Sequence, residues 1–296
     1  MKYAYIEKRF TSSSMRMIEQ ANGIIEAYRA QGYRLTLRQL YYQMVKANLI
    51  PNWMKSYKRL ASIINDARWA GYVDWAAIED RARNTVEVST WENPAQIVRA
   101  AIDSYREDLW KTQPVHLEVM CEKDAVSNIV TPVCRSFGVP FTANRGYPSA
   151  SLLYEVDGRF HKAAAENKDI HIIYLGDHDP SGLDMDRDIL ERLSLFSESS
   201  YDPEVERIAL TYEQVEDWRL PPNPAKLSDS RASGYVSEFG SSSWELDAIE
   251  AAELSRIVRE KIKQVIDEEL WEEAEAEQEN NKARLERALE ELEGLE

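Results

Sequence analysis

The segment IIYLGDHDPSG, from Ile172 to Gly182, limits what this chain can fold into more than any other. Four apolar residues run into Gly176, two acids follow at i and i+2, and a Pro-Ser-Gly turn closes the stretch. This pattern predicts a buried strand of a parallel sheet, with Asp177 and Asp179 presented on one side of its C-terminal end. In open α/β sheets, ligands collect at the carboxyl ends of the strands. Two carboxylates there offer a seat for Mg²⁺, a hard cation that prefers oxygen ligands. Taken alone, the same residues also describe a strand that ends in an acidic turn.

A second strand of this kind ends at another acid. Val115 to Cys121 is mostly apolar, Glu122-Lys123-Asp124 follows, and helical spacing then runs through Val126, Ile129, Val130 and Val133. If the two strands lie close in the sheet, Glu122, Asp177 and Asp179 converge. Three uncompensated carboxylates within a few ångströms repel one another, and a divalent metal relieves that repulsion. Between the two acidic corners lies TANRGYPS, residues 142–149, a loop by composition with Arg145 as its one cation. Arg145 is placed either to hold a phosphate or to sit solvated on the surface.

The order Glu-Lys at a strand end, then RGYP, then GDHDPSG resembles the Toprim domain. It is most similar to that of the topoisomerase VI A subunits and the related meiotic double-strand-break proteins. The resemblance implies a Rossmann-like sheet that binds Mg²⁺, with Mn²⁺ as a possible substitute, through Glu122, Asp177 and Asp179. His178 stands where the family commonly has a small residue, and it is expected to point away from the acidic pair. Asp184, Asp186 and Asp188 follow the turn. Asp184 or Asp186 could serve a second metal, and a solvated helix start accounts for them as well.

Upstream, LTLRQLYYQMVKANLI has helical periodicity that places Leu37, Leu40, Tyr41 and Met44 on one buried face. Arg38, Tyr42 and Lys46 fall at i, i+4 and i+8 along a neighbouring stripe. A tyrosine hydroxyl held between two cations on an accessible face is suited to meet a DNA phosphate. An ordinary amphipathic helix with a half-exposed tyrosine would read the same way. A phenol needs a base, cation or metal to become a nucleophile. Here the resemblance extends: an Arg-x-x-Tyr-Tyr helix ahead of a Toprim domain is how the same family carries its catalytic tyrosine, in a winged-helix domain. The second tyrosine of the pair is Tyr42. The segment from Tyr57 to Ala70 has helical spacing with Lys58, Arg59 and Arg68 outward, and Gly71-Tyr72-Val73 is suited to open the wing. The likeness spans about residues 36–190.

Charge bears on the DNA expectation, because the chain carries a net charge of −16. Residues 1–83 nevertheless hold 14 Lys/Arg against 7 Asp/Glu, whereas residues 112–220 hold 10 against 20 and residues 221–296 hold 9 against 20. Positive charge thus gathers where DNA contact is expected. No run approaches the ~18 apolar residues of a membrane span, and the N-terminus lacks the apolar core of a signal peptide. A cytoplasmic, nucleoid-associated protein is therefore expected. Cys121 and Cys134 fall on core faces as reduced thiols. The histidines lack zinc-ligand spacing, and no GxxxxGK[ST] phosphate loop occurs.

The expected fold class is α/β with an α-rich N-terminal part. A winged-helix domain (1–83) and a helical linker (84–113) precede a Rossmann-like Toprim domain (114–220), and a C-terminal helical region with an acidic tail (221–296) follows. In that last region Ser242 or Ser243 is a good N-cap for an amphipathic helix. Its WELDAI opening is similar to a glutamate-containing stretch in the topoisomerase A subunits, without a role carried over. The Glu-rich end reads as a solvated helix, a short coiled coil or a frayed tail.

By resemblance, the expected activity is Mg²⁺-dependent cleavage of double-stranded DNA. Tyr42 forms a 5′-phosphotyrosyl link, Arg38 and Lys46 position the phosphate, and Arg145, Lys58 and Arg59 give further DNA contact. The family takes tyrosine and metal site from opposite subunits, which implies a homodimer. Strand passage there also needs a separate ATPase subunit, which nothing in this chain resembles. A hydrolytic Toprim nuclease and a non-catalytic DNA-binding protein are the alternatives.

Overall fold

Capping residues fix where the N-terminal helices begin in the computed structural model, which describes residues 2–79 and 90–293. Thr11 accepts a hydrogen bond from the Ser14 amide at the start of α1 (Ser12–Ala30), and Thr36 forms a capping box with Gln39 at the start of α2 (Leu37–Lys46). With α3 (Met54–Trp69), these helices bury Ile18, Ile25, Leu40, Met44, Leu60 and Ile64 against one another. Two-residue strands β1 (Leu35–Thr36) and β2 (Ile78–Glu79) pair in parallel beside them.

Gly71-Tyr72-Val73, expected to open the wing, form a turn. Among the described residues no antiparallel hairpin follows α3. Instead Gly71, at φ +77°, closes a tight turn in which the Tyr72 amide donates to the Ala67 carbonyl at 2.8 Å. A Cβ at this position would come within 2.8 Å of the Ala4 nitrogen, so the N-terminal segment can pack here only over glycine. Residues 80–89, the end of the expected winged-helix segment and the start of the expected linker, lie outside the described residues. The linker segment supplies α4 (Pro94–Ser104), capped by Asn93.

The centre is a four-stranded parallel sheet of β3 (Val115–Cys121), β4 (Phe141–Ala143), β5 (Asp169–Leu175) and β6 (Pro203–Ala209), in the order β4-β3-β5-β6. α5 (Ser127–Ser136), α6 (Ala150–Ala165) and α7 (Gly182–Ser197) connect the strands. β3 and β5 are adjacent over their whole length, from Val115 opposite Asp169 to Cys121 opposite Leu175. From β3 the chain turns to one side to make β4, then crosses to the other side to make β5. The reversal opens a crevice at the carboxyl ends of β3 and β5, where ligands bind in doubly wound sheets.

α6 and α7 cover one face of the sheet through Leu153, Phe160, Met185 and Ile189. The other face packs on α5 and on α10 (Ala251–Val265), and its apolar cluster continues without a break into the N-terminal helices. Cys121 and Cys134 are buried free thiols.

Beyond the sheet come α8 (Tyr212–Asp217), β7 (Asn223–Pro224), α9 (Ala232–Phe239) and β8 (Ser242–Ser243), which pairs antiparallel with β7. The strand pairing places Ser242 and Ser243 in extended backbone, so they do not cap the next helix. α10 begins at Ala251 with Glu250 at its N-cap. The acidic tail forms α11 (Glu268–Glu293), which packs on α4 and buries Trp271 against Trp110 and Phe137. This helix is therefore docked rather than wholly solvated. Among the described residues no helix is long and apolar enough to cross a membrane.

Candidate active site

Glu122 is the first residue past β3, and its amide still donates to the Leu175 carbonyl at 2.8 Å. Its Oε2 accepts the Asp177 amide at 2.9 Å, which locks the two strand corners together. Both carboxylates are buried. Burial raises the Glu122 carboxyl above the usual range, despite the Asp177 amide and Lys123. Burial likewise pushes Asp177 up to about 8, against the pull of Lys123. Lys123 Nζ lies 2.7 Å from Asp177 Oδ2, and Asp177 Oδ1 accepts the Leu246 amide at 2.8 Å. Asp179 turns toward its own loop. Its Oδ1 accepts the Ser181 hydroxyl at 2.8 Å and the Gly182 amide at 2.6 Å, at the start of α7. A side chain at Gly182 would fall against the Asp177 carbonyl oxygen, so the turn requires glycine.

The stretch after β8 adds two carboxylates to this corner. Trp244 and His178 exchange backbone hydrogen bonds of 2.9 and 3.0 Å, which stitches the loop to the end of β5. Glu245 then lies 2.5 Å from Lys123 Nζ and 2.5 Å from Arg38 Nη2. Burial opposes its charge, but Lys123 and Arg38 outweigh burial and hold the carboxyl at about 2. Asp247 is 1% exposed and lies 3.4 Å from Arg38 Nε and 3.5 Å from Lys123 Nζ. Neither of its oxygens accepts a hydrogen bond, and burial raises its carboxyl. Lys123, Asn223, Glu245 and Asp247 had no assigned role in the sequence reading. The signals were present: Lys123 is half of the Glu-Lys pair, and the other two acids are the WELDAI stretch.

Tyr42 reaches the same network from α2. Its hydroxyl accepts from Arg38 Nη2 at 3.3 Å and from Asn223 Nδ2 at 3.1 Å, and Asn223 also donates to Glu245 at 3.2 Å. The accessible face expected for Tyr42 is not what the fold provides, since the residue is 3% exposed. The loop bearing Asn223 and Glu245 covers it. Burial, then Asp247 and Glu245, raise the phenol above its ordinary range, with Arg38 opposing. The cations of the stripe are engaged as well: Arg38 with Glu245 and Asp247, and Lys46 with Glu250 at 2.8 Å.

The remaining expected DNA contacts lie farther out. Lys58 and Arg59 are exposed on α3, with Arg59 donating to Ser13 at 3.0 Å. Arg68 turns inward to the Trp75 and Ile78 carbonyls instead of outward. Arg145 sits at φ +57° with a 73% exposed side chain, 3.1 Å from Asp124 at the mouth of the cleft. Asp184, Asp186 and Asp188 lie half-buried in the first turns of α7, paired with Arg187 and Arg231, with Arg207, and with Arg192. His178 lies away from the carboxylates, hydrogen-bonded to Tyr235 at 2.9 Å beside Phe239 and Trp244, and burial lowers it to about 4.

These elements enclose a cleft of about 440 Å³ whose lining includes Arg38, Glu122, Lys123, Asp177, Asp179 and Asp247. Among the described residues no group of three or more His, Cys, Asp or Glu forms a ready metal-ligand set. Lys123 already holds Asp177, and Asp179 is engaged in its turn. The donor chemistry nevertheless fits a hard divalent cation. Six carboxylates face four cationic side chains across the cleft, and the buried oxygens of Asp247 accept no hydrogen bond, with Arg38 and Lys123 only in ion-pair range. Compared with known protein families and with curated proteins, the sequence matches none.

Proposed function

We propose that this protein cleaves double-stranded DNA by tyrosine transesterification, in the manner of a topoisomerase VI A subunit. One observation carries the reading. A continuous polar path joins the Tyr42 hydroxyl to the acidic corner through Arg38, Glu245, Lys123 and Asp177. Five residues from four distant stretches meet at the crevice of a parallel sheet, where ligands gather. On this reading the helices of residues 1–79 act as the DNA-binding, winged-helix-like unit and residues 114–220 as a Toprim unit.

A backbone phosphate entering the cleft competes with Glu245 for Arg38 and Lys123. Freed of Glu245, Arg38 bridges the phosphate and the Tyr42 hydroxyl, which keeps its bonds from Arg38 and Asn223 while the nearby carboxylate charge is withdrawn. The Tyr42 hydroxyl gives up its proton to solvent as its oxygen bonds to phosphorus, the bond to the 3′-oxygen breaks, and that oxygen takes a proton from solvent. The products are a 5′-phosphotyrosyl link and a free 3′-hydroxyl. Glu122, Asp177 and Asp179 would hold Mg²⁺, or Mn²⁺ in its place, which when bound supplies charge neutralisation at the phosphate. Two copies of the chain would serve the two strands, and strand passage would require a separate ATPase subunit.

A hydrolytic nuclease is the second reading, favoured by the environment of Tyr42. Burial and two carboxylates keep its phenol neutral until Glu245 is displaced.

The deciding experiment incubates the protein with labelled supercoiled DNA and Mg²⁺ or Mn²⁺, then denatures with detergent. A covalent protein–DNA adduct is expected, lost in Tyr42→Phe and in Asp177→Ala. Cutting without an adduct, unchanged in Tyr42→Phe, would establish the hydrolytic nuclease instead.

A further inference from the structure

Beside Tyr42, and sharing Arg38, Asn223, Pro224 and Glu245 with the acidic cleft, lies a second cavity of about 440 Å³, within the range of small-molecule pockets. Tyr41, Trp53 and Tyr57 form its aromatic walls, Met54 its rim, and Asn223 and Tyr42 its inner end. The walls are braced. Tyr41 packs edge-on against both Tyr42 and Tyr57, with ring centroids 5.3 and 5.4 Å apart. The Tyr41 hydroxyl donates to Asn52 Oδ1 at 2.8 Å, and Asn52 in turn bonds Asn223 at 2.9 Å. The space is thus held open by side chains that have their own partners.

Trp53 is hard to explain by stability. It occupies the N-cap of α3, where Ser, Thr, Asp or Asn would satisfy a free amide, and it makes no side-chain cap hydrogen bond. Burial offers no compensation, because Trp53 is 68% exposed and its neighbour Met54 is 65% exposed. A residue that breaks a local rule without a folding gain marks a functional position. Lys55, Lys58 and Arg59 are exposed on the following turns of the same helix, in the part of the chain with excess positive charge. An aromatic wall beside a row of cations is how proteins hold nucleic acid whose bases are unstacked.

The geometry points to this cavity as a nucleobase pocket. It takes one base adjacent to the phosphate addressed by Tyr42, stacked on Trp53, with Met54 as a wedge at the neighbouring base step. The inference deepens the DNA-cleaving reading and rests on it. A base held here fixes the register of the strand, so that a single phosphate faces the tyrosine hydroxyl.

Photocrosslinking tests it. A set of duplexes, each with one 5-iodouracil at a successive position, is bound to the whole protein in chelator and irradiated, and adducts are mapped by mass spectrometry. Binding is measured in parallel by fluorescence anisotropy. Adducts on Trp53 from one or two adjacent positions are expected. Trp53→Ala should lose them and bind DNA about tenfold more weakly, while Trp53→Phe keeps the affinity. Because the wild-type map alone locates the base, a poorly folded Trp53→Ala protein would not blunt the test. Binding with adducts only elsewhere would overturn the pocket and leave the DNA reading standing. No binding by the wild type would overturn both. A dimer lost in Trp53→Ala without DNA would overturn the inference by giving the pocket to a second copy.

Discussion

Asp177 holds its carboxylate between the Lys123 ammonium and the Leu246 amide while almost wholly buried. Burial dominates and raises the folded-state value to about 8 from 3.8. Between those values the folded chain binds more protons than the unfolded chain. The contribution of Asp177 is therefore fully present below about pH 4 and lost as pH rises through about 8. Glu245 runs the other way. Held at about 2, it contributes above about pH 4.5, and that contribution is lost as pH falls through 2. In chelator, stability relative to Asp177→Asn should thus fall as pH rises from 5 to 8. Parallel profiles of wild type and variant, by thermal denaturation, would disprove this titration. Removing the cation is the harsher change. Lys123→Met leaves Asp177 and Asp247 buried without their ammonium, and a loss of about 3–5 kcal/mol is expected by chemical denaturation.

Much at this scale was legible in the sequence, because Glu122, Asp177 and Asp179 sit at strand ends that local apolar runs announce. The WELDAI stretch singled out Glu245 and Asp247 in the sequence, but not their place beside Asp177. The backbone bond that brings their loop in, from Leu246 to Asp177, spans 69 residues. No local period encodes such a bond.

Among the elements, helices with strong local signals appear where the spacing puts them. α2 begins at the capping threonine, and α3 covers the stretch read as helical. The misreadings share one cause, a tertiary partner that overrides a local preference. Ser243 is a capable helix cap, yet β7 takes it into a strand pair. The Glu-rich tail reads as solvated because apolar residues are sparse in it, but Trp271 and Leu289, with Gln278 and Asn281 bonded to Glu107, dock it. Trp271→Ala is therefore expected to cost about 3–5 kcal/mol in chemical denaturation. Leu285, 37% exposed, should cost much less when truncated. Equal effects from the two would mean that α11 is not anchored through its first turns.

For the whole molecule, charge is divided by region and not by sum. Residues 1–83 have twice as many cations as anions, and the rest of the chain is acidic. On the proposed reading, DNA should therefore be attracted to the helical face and repelled elsewhere, which would orient the duplex before any specific contact forms. Binding should weaken steeply with salt, and Lys58→Ala with Arg59→Ala should lower the slope of log K against log salt by about 1.8. An unchanged slope would remove α3 from the DNA interface.

The cleft draws on residues 38–42, 122–123, 177–179, 223 and 245–247, so its parts are spread over more than 200 residues of sequence. A chain still on the ribosome cannot close it until the segment around residue 247 has emerged. Every earlier fragment, including one that already displays Tyr42 or the paired aspartates, lacks part of the polar path. On the proposed reading, synthesis itself thus keeps the tyrosine and the acidic corner apart until the last loop arrives.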